Sequence, residues 1–335
     1  MGNRRFLAMR SNSLKSILLV ALLLLPAVAC QAEDVLVLNR TDGNGITKKK
    51  GEIVSWTGTT IAIKTATGVK EVDSDRLVRV ETDWSPDFLA GDKSLAAGDR
   101  SGASELFVAA FTGEDRGWMR NIIHAKRIEC AIALGAWSDA GASFLSIIAT
   151  DPNSRFLHLI PLAWTSNGPP KSARDQAQQW ISSSEPAIAL LGASWLLESD
   201  RDAAKEVLQK LARDFNPRIA ALATGQLWRL DRIAIDPKRI AQRIQKVRSM
   251  PELCRAGGWY QIAINQSRGN DDGSRRKAVI NWFHIVSNDR WQRELCAASL
   301  YQASETLKQM GRTTDAARLL QELKEKFGDS TWAIE

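Results

Sequence analysis

Between residues 87 and 327, apolar residues recur every three or four positions, which is the spacing of one face of an α-helix. An amphipathic helix must bury its apolar face against another element, and here nearly every neighbour in sequence is another such helix. The pattern therefore predicts a mainly α chain in which successive helices pack on one another. The clearest stripe lies in 313–327 and consists of Ala316, Leu319, Leu320, Leu323 and Phe327.

The number of these stretches predicts an α-solenoid of about seven antiparallel helix pairs. Two less regular stretches, at 154–164 and 171–183, are included as helices. The remaining helices are predicted at 87–97, 100–111, 115–133, 137–150, 186–198, 201–214, 217–230, 236–248, 252–266, 275–288, 291–310 and 313–327.

A different pattern precedes the helices. From residue 34 to residue 82 apolar and polar residues alternate, and Gly, Asn and Asp clusters interrupt the alternation, which is typical of short strands and turns. Five strands are predicted, and Lys48, Lys49 and Lys50 are assigned to a solvated loop, with a role at an anionic surface as the alternative. The strand rhythm resembles that of SH3-like barrels, so we expect a small five-stranded β-barrel-like module. The strands are expected at 35–38, 52–56, 60–64, 69–72 and 77–80.

The first 32 residues have the plan of a secretory signal. Four basic residues precede an uninterrupted apolar run at 17–25, and small residues follow Pro26. The run is too short for a permanent membrane helix, which needs about 20 apolar residues. We expect export to the periplasm or the extracellular space, with cleavage after Ala29 or Ala32. Domains are predicted at 1–32 (signal peptide), 33–83 (small β module) and 84–335 (helical repeats).

A second interpretation of this segment is lipid attachment. Ala27-Val28-Ala29-Cys30 resembles the lipobox of bacterial lipoproteins, which implies a lipid on Cys30, although Ala27 departs from the larger aliphatic residue usual at that position. Removal of the segment leaves 41 basic against 38 acidic residues in 303. This balance gives no electrostatic signature of nucleic-acid binding.

Small residues recur at related positions within the helices, which indicates degenerate repeats. An Ala with a Phe four residues later occurs at Ala103–Phe107 and Ala140–Phe144, and Gly often precedes the Ala by five or twelve residues. Small residues let two helices approach closely, and a Gly suits the turn between them. The residues assigned to repeat packing are Gly91, Gly98, Ala103, Phe107, Gly135, Ala140, Phe144, Pro152, Gly192, Ala204, Gly311 and Ala316.

This arrangement resembles the tetratricopeptide repeat, which has small residues, an Ala-x-x-x-Phe step and a closing Pro. The spacing between anchor alanines departs from it, with steps of 37, 64, 74 and 38 residues against about 34 in a regular array. We expect the two long steps to contain further helix pairs, at 155–183 and 217–250. The overall plan also resembles uncharacterised exported proteins of planctomycete-type bacteria.

No catalytic motif is present in the sequence. His124, His158 and His284 fall on separate predicted helices, and the pattern assigns no catalytic, metal-binding or cofactor-binding residue. Cys130, Cys254 and Cys296 are expected to be buried free thiols. One basic stretch is interpreted as a solvated helix face or, alternatively, a site for an anionic partner; it comprises Arg229, Arg232, Lys238, Arg239, Arg243, Lys246 and Arg248.

The sequence favours a non-catalytic binding or scaffold protein of the cell envelope, whose partner is a protein or peptide bound on the helical-repeat surface. Of the 12 tryptophans, most are expected to pack between helices, and the candidate partner-binding residues are Arg255, Trp259 and Tyr260. Two alternatives remain. One is an envelope enzyme that acts on a glycan, with two carboxylates brought together by the fold; the other is a purely structural repeat protein.

Overall fold

The computed structural model describes residues 33–166, 168–231 and 236–333. The predicted signal segment and Cys30 lie outside these residues. Five antiparallel strands form a sheet of order β4-β3-β2-β1-β5, and a short 3-10 turn at Ser74–Arg76 precedes the last strand. The strands are β1 (Asp34–Asn39), β2 (Ile46–Trp56), β3 (Thr60–Thr65), β4 (Gly68–Asp73) and β5 (Leu77–Glu81).

Strand β2 is shared between the two halves of this sheet. Its first half pairs with β1 and its second half with β3, and the change occurs at Gly51, which has a φ of 155°. A Cβ on residue 51 would lie 2.2 Å from the backbone oxygen of Lys64, so the close crossing requires glycine. The small five-stranded antiparallel module is confirmed.

The lysine run is not a loop, as the sequence suggested, but part of β2. Lys48 pairs with Val37 and Lys50 with Val35 across the β1–β2 ladder. Turn residues end before the run, at Gly45, and the lysines continue the strand because their long side chains can extend into solvent from a strand face.

Most of the described residues after the β module are helical, and the helices pack as a solenoid, as the sequence predicted. The described helices are α1 (Pro86–Ala96), α2 (Arg100–Thr112), α3 (Gly117–Ala133), α4 (Trp137–Thr150), α5 (Lys171–Trp180), α6 (Pro186–Leu196), α7 (Arg201–Leu211), α8 (Pro217–Leu227), α9 (Pro237–Ser249), α10 (Ala256–Ser267), α11 (Asp272–Asn288), α12 (Arg293–Gln309) and α13 (Thr313–Phe327). None of them is long and apolar enough to cross a membrane.

Glycines form three of the turns between helices. Gly98, Gly135 and Gly311 follow α1, α3 and α12, and each has a positive φ, between 68° and 89°. This left-handed backbone conformation carries no steric penalty for glycine, which ends each helix within one or two residues. These are the positions at which the repeat pattern placed an interhelical turn.

One predicted helix pair is absent from the described structure. The interval 155–183 holds a 3-10 turn at Arg155–Leu159, a stretch without regular secondary structure and the single helix α5, whereas 217–250 does hold the pair α8 and α9. The helix predicted at 154–164 was wrong because Pro161 interrupts it: proline disfavours helical geometry in the residue before it and lacks the N–H that a helix needs.

Helix α3 joins the β module to the solenoid. Its Trp118, Met119 and Ile123 belong to a cluster that includes Leu36, Ile61 and Phe107, while its Ala125 and Ile128 belong to the main cluster of the later helices. The rings of Trp118 and Trp56 in β2 lie 5.9 Å apart between centroids. Because one apolar core crosses the predicted boundary at residue 84, the β module and the first helices support each other.

Candidate functional site

A cavity of about 760 Å³ lies where α3, the 155–170 segment and the start of α12 meet. Its volume is within the range of sites that hold a drug-sized ligand or a few side chains of a partner. Much of the wall is apolar and aromatic, contributed by Ile128, Ile132, Trp137, Phe156, Leu159, Leu162, Trp164, Trp291 and Trp332. We take this cavity as the candidate functional site.

Most charged groups of the wall are already paired within the protein. Lys126 Nζ lies 2.6 Å from Asp92 Oδ1, and Arg293 forms an ion pair with Asp329. Glu129 Oε1 lies 3.9 Å from Arg100 Nη1. These pairs reduce the net field of the wall, so the cavity favours a largely apolar group with few charges.

Arg155 is the cationic group of the wall that has no carboxylate partner among the described residues. Its guanidinium carbon lies 4.6 Å from the ring centroid of Trp56 and 5.3 Å from that of Phe156. Burial against these rings lowers the pKa of Arg155 from its usual value. The stacking holds a guanidinium in place at the junction of the β module and the cavity.

Glu294 is the most perturbed acid of the wall. Burial raises its pKa to about 7, an effect opposed by the hydrogen bond from Ser330 Oγ to Oε2 at 2.7 Å. Its Oε1 is buried and has no hydrogen-bond partner among the described residues. A carboxyl group in such surroundings exchanges its proton near neutral pH, which is a property that general acids share.

His158 lies in the same wall and is kept neutral. Burial, together with the charges of Arg155 and Arg218, lowers its pKa to about 4, although its Nδ1 lies 2.8 Å from the Arg155 backbone oxygen. Its ring meets the ring of Trp291 edge-on, with centroids 4.8 Å apart. His158 therefore acts as a packing residue of the wall at neutral pH.

The chain itself fills the inner side of the central helices. Residues 161–164 run through the interior without regular secondary structure, and inner helices α6, α8 and α10 bind their backbone with side chains. Ser194 Oγ accepts from the Ala163 N–H at 2.9 Å, and Gln226 Nε2 donates to the Ala163 oxygen at 3.2 Å. Gln261 Nε2 donates to the Trp164 oxygen at 2.8 Å. The inner helix faces thus hold a segment of non-helical backbone through side-chain hydrogen bonds, and the cavity is the part of the interior that remains open beside it.

The residues assigned to repeat packing lie mainly in the core. Gly91 and Gly192 lie in helices that approach a neighbour closely: a Cβ would be 2.9 Å from the Phe107 ring in the first case and 2.6 Å from the Ile181 nitrogen in the second. Pro152 lies in an exposed turn after α4. The side chains with no exposed surface are Ala103, Phe107, Ala140, Phe144, Ala204 and Ala316.

The candidate partner-binding residues are not arranged as an open stacking surface. Trp259 is 6% exposed and Tyr260 2% exposed, and both belong to the main core. Arg255 Nε donates to the Met250 oxygen at 2.8 Å. The physical reason is the position of α10 as an inner helix, which buries both aromatic rings. Cys130, Cys254 and Cys296 are buried free thiols, as expected.

Sequence reasoning did not single out the cavity residues. Phe156, Trp164 and Trp291 were interpreted as helical or packing residues. Residues far apart in sequence form the wall, so no single stretch indicated the cavity. Trp164 and Pro161 in a stretch of weak helical periodicity were the available signal. Among the described residues, no group of three His, Cys, Asp or Glu side chains could hold a metal ion.

The comparisons with known proteins agree with the helical part of the structure. A tetratricopeptide repeat family model matches residues 298–330, which cover most of α12 and all of α13. No curated protein matches the chain. The matched residues form an antiparallel helix pair joined at Gly311, so the C-terminal pair is similar to a tetratricopeptide repeat.

Proposed function

We propose that this protein is an exported, non-catalytic interaction protein of the cell envelope, which binds a segment of a partner protein or peptide in the cavity beside α3 and α12. The cavity carries the proposal, because it is large, mainly apolar and open to a few partner side chains. The tetratricopeptide repeat match supports protein interaction in general. Side chains of the inner helices already bind the backbone of the chain's own residues 163 and 164, which supports a partner segment of non-helical backbone.

A cavity-filling substitution tests this proposal. Gly168 lines the cavity, and a Cβ there would meet only the Ala163 Cβ, at 3.8 Å. We expect Gly168→Phe to leave the fold intact and to abolish cross-linking to a specific partner in envelope extracts. Gly113→Phe is the matched control, because a Cβ at Gly113 meets nothing within 4 Å and Gly113 is outside the cavity wall. Equal capture of that partner by both variants would exclude the cavity as the binding site.

The envelope location is tested separately. The basic residues, apolar run and small residues of the first 32 positions support export. N-terminal sequencing of the protein from its native host should show that residues 1–29 or 1–32 are absent, and mass spectrometry should show whether Cys30 carries a lipid. Retention of Met1 on the mature protein would contradict export.

One observation favours an envelope enzyme as the second candidate. Glu129 and Glu294 line the same cavity as Trp137, Trp291 and Trp332, and Glu294 holds a proton near neutral pH. Enzymes that cleave glycans commonly use a pair of carboxyl groups that flank the scissile bond. If purified protein degrades an envelope glycan, and Glu294→Gln and Glu129→Gln each remove that activity, this candidate replaces the binding function.

A further inference from the structure

The outer surface of α9 and α11 carries six exposed cations with no carboxylate partner among the described residues. They are Lys238, Arg239, Lys246 and Arg248 on α9 and Arg276 and Lys277 on α11. Helix α9 contains no acidic residue, whereas Arg243, which belongs to the same basic stretch, is paired with Asp231. Arg232 lies outside the described residues; the rest of the basic stretch divides into the paired Arg229 and Arg243 and the exposed cations of α9.

The two helices lie beside the same inner helix. Both α9 and α11 pack against α10, and the charge of Arg248 on α9 contributes to the lowered pKa of His284 on α11, after burial and Arg255. The acidic residues at the N-termini of the two helices already have partners: Asp236 and Asp271 accept backbone hydrogen bonds, and Asp272 forms an ion pair with Arg275. Their charges offset only part of the basic excess.

Exposed apolar side chains lie within this surface. Ile280 is 65% and Phe283 38% exposed, and they are three residues apart on α11, so they lie on one face of the helix. Arg276 precedes them by one turn on the same face. A surface with cations around exposed aliphatic and aromatic side chains is suited to the boundary between lipid headgroups and acyl chains. A nucleic acid would use the charges but would gain little from Ile280.

We propose that the α9–α11 surface, defined by these six cations with Ile280 and Phe283, binds the anionic face of a lipid bilayer. The cations lie at the headgroup level, and the two apolar side chains enter the boundary beneath it. This proposal does not depend on the partner that occupies the cavity. It gives the folded chain its own attachment to a membrane, in addition to any lipid on Cys30.

Vesicle binding tests the proposal. Because residues 17–25 are themselves apolar, the experiment uses the chain from Glu33 onward, which contains every described residue. We expect sedimentation with vesicles of equimolar phosphatidylcholine and phosphatidylglycerol, little sedimentation with phosphatidylcholine alone, and weaker binding as salt increases. Equal binding to both vesicles, or none to either, would overturn the proposal.

Two double variants distinguish binding through this surface from a general effect of net charge. Lys246→Glu with Lys277→Glu should weaken binding to the anionic vesicles by roughly tenfold or more, since each basic residue near the bilayer contributes measurably. Lys50→Glu with Lys70→Glu makes the same change in net charge on the β module, where both lysines are exposed and unpaired among the described residues. An equal loss in both variants would show non-specific attraction and overturn the proposal.

A third variant tests insertion. Ile280→Ser keeps every charge and removes an exposed aliphatic group, so it should weaken vesicle binding several-fold. Unchanged vesicle binding by Ile280→Ser would reduce the surface to a general anion site. Equal affinity of the unmodified chain for single-stranded DNA and for the anionic vesicles, at the same salt concentration, would exclude the bilayer as the specific partner.

Discussion

Arg100 Nε donates a hydrogen bond of 2.8 Å to Asp329 Oδ2, across 229 residues of sequence. Arg100 begins α2 and Asp329 follows α13, so the pair joins an early helix of the solenoid to its end. Arg293 also pairs with Asp329, and Ser330 beside it donates to Glu294. The solenoid therefore curves back on itself, and this contact closes the interior that contains the candidate site.

The closing contact predicts a loss of stability in Asp329→Ala. Arg100 is 7% exposed and would keep a buried charge without this partner, so we expect a cost of about 3 kcal/mol. The measurement is the midpoint of urea unfolding followed by circular dichroism. Asp315→Ala removes an exposed ion pair with Arg312 on α13 and should cost less than about 1 kcal/mol. Similar midpoints for the two variants would contradict the role of Asp329 in joining α2 to the end of the solenoid.

A pH effect follows from Glu294. Because burial raises its pKa from 4.5 to about 7, the folded chain binds this proton more tightly than the unfolded chain. The contribution to stability is full below about pH 4.5 and is lost as the pH rises to about 7. Glu294→Gln cannot ionise, so the difference in unfolding midpoint between this variant and the unmodified chain should change over that pH interval. A constant difference from pH 4.5 to pH 8 would contradict the raised pKa.

The register of the repeats predicts the effect of a larger side chain on α4. Ala140 has no exposed surface, so Ala140→Leu should overpack the contact and cost about 1–3 kcal/mol. Ala142 lies on the exposed face of the same helix, and Ala142→Leu should change the free energy of unfolding by less than about 0.5 kcal/mol. Chemical unfolding of both variants measures the difference, and equal costs would argue against this register.

Local pattern was sufficient to predict most of the elements. The stripe in α13 and the Gly98, Gly135 and Gly311 turns depend on residues close in sequence, so periodicity and glycine conformation indicated them. The helix expected at 154–164 failed because Pro161 interrupts it, and residues 161–164 are buried without regular secondary structure. Such a stretch has the composition of a core helix, and only the proline distinguished it.

The candidate site could not be predicted from the sequence, for a related physical reason. Trp137, Trp164, Trp291 and Trp332 line one cavity although they span nearly 200 positions, and the curvature of the solenoid brings them together. That curvature results from many small packing angles between helices, which no single motif encodes. The burial of Trp259 and Tyr260 has the same origin, since it depends on which side of the curve α10 occupies.

The position of the Trp164 ring against two helix glycines predicts that a Cβ at either glycine will clash with the ring. A Cβ on Gly257 of α10 would lie 2.3 Å from Trp164 Cε2, and one on Gly225 of α8 would lie 2.9 Å from Cη2. Gly257→Ala should therefore cost about 3 kcal/mol, despite the better helix propensity of alanine. Gly117→Ala, where a Cβ meets nothing within 4 Å, is the control and should be nearly neutral.

A second substitution tests whether the Trp164 ring is the reason that position 257 requires glycine. Trp164→Leu removes the ring that a Cβ on residue 257 would contact, so the double variant with Gly257→Ala should be more stable than the sum of the two single costs predicts. A double-mutant cycle by urea unfolding measures this coupling, which we expect to be about 1–2 kcal/mol. Additive costs would mean that Gly257 is required for a contact other than the one with Trp164.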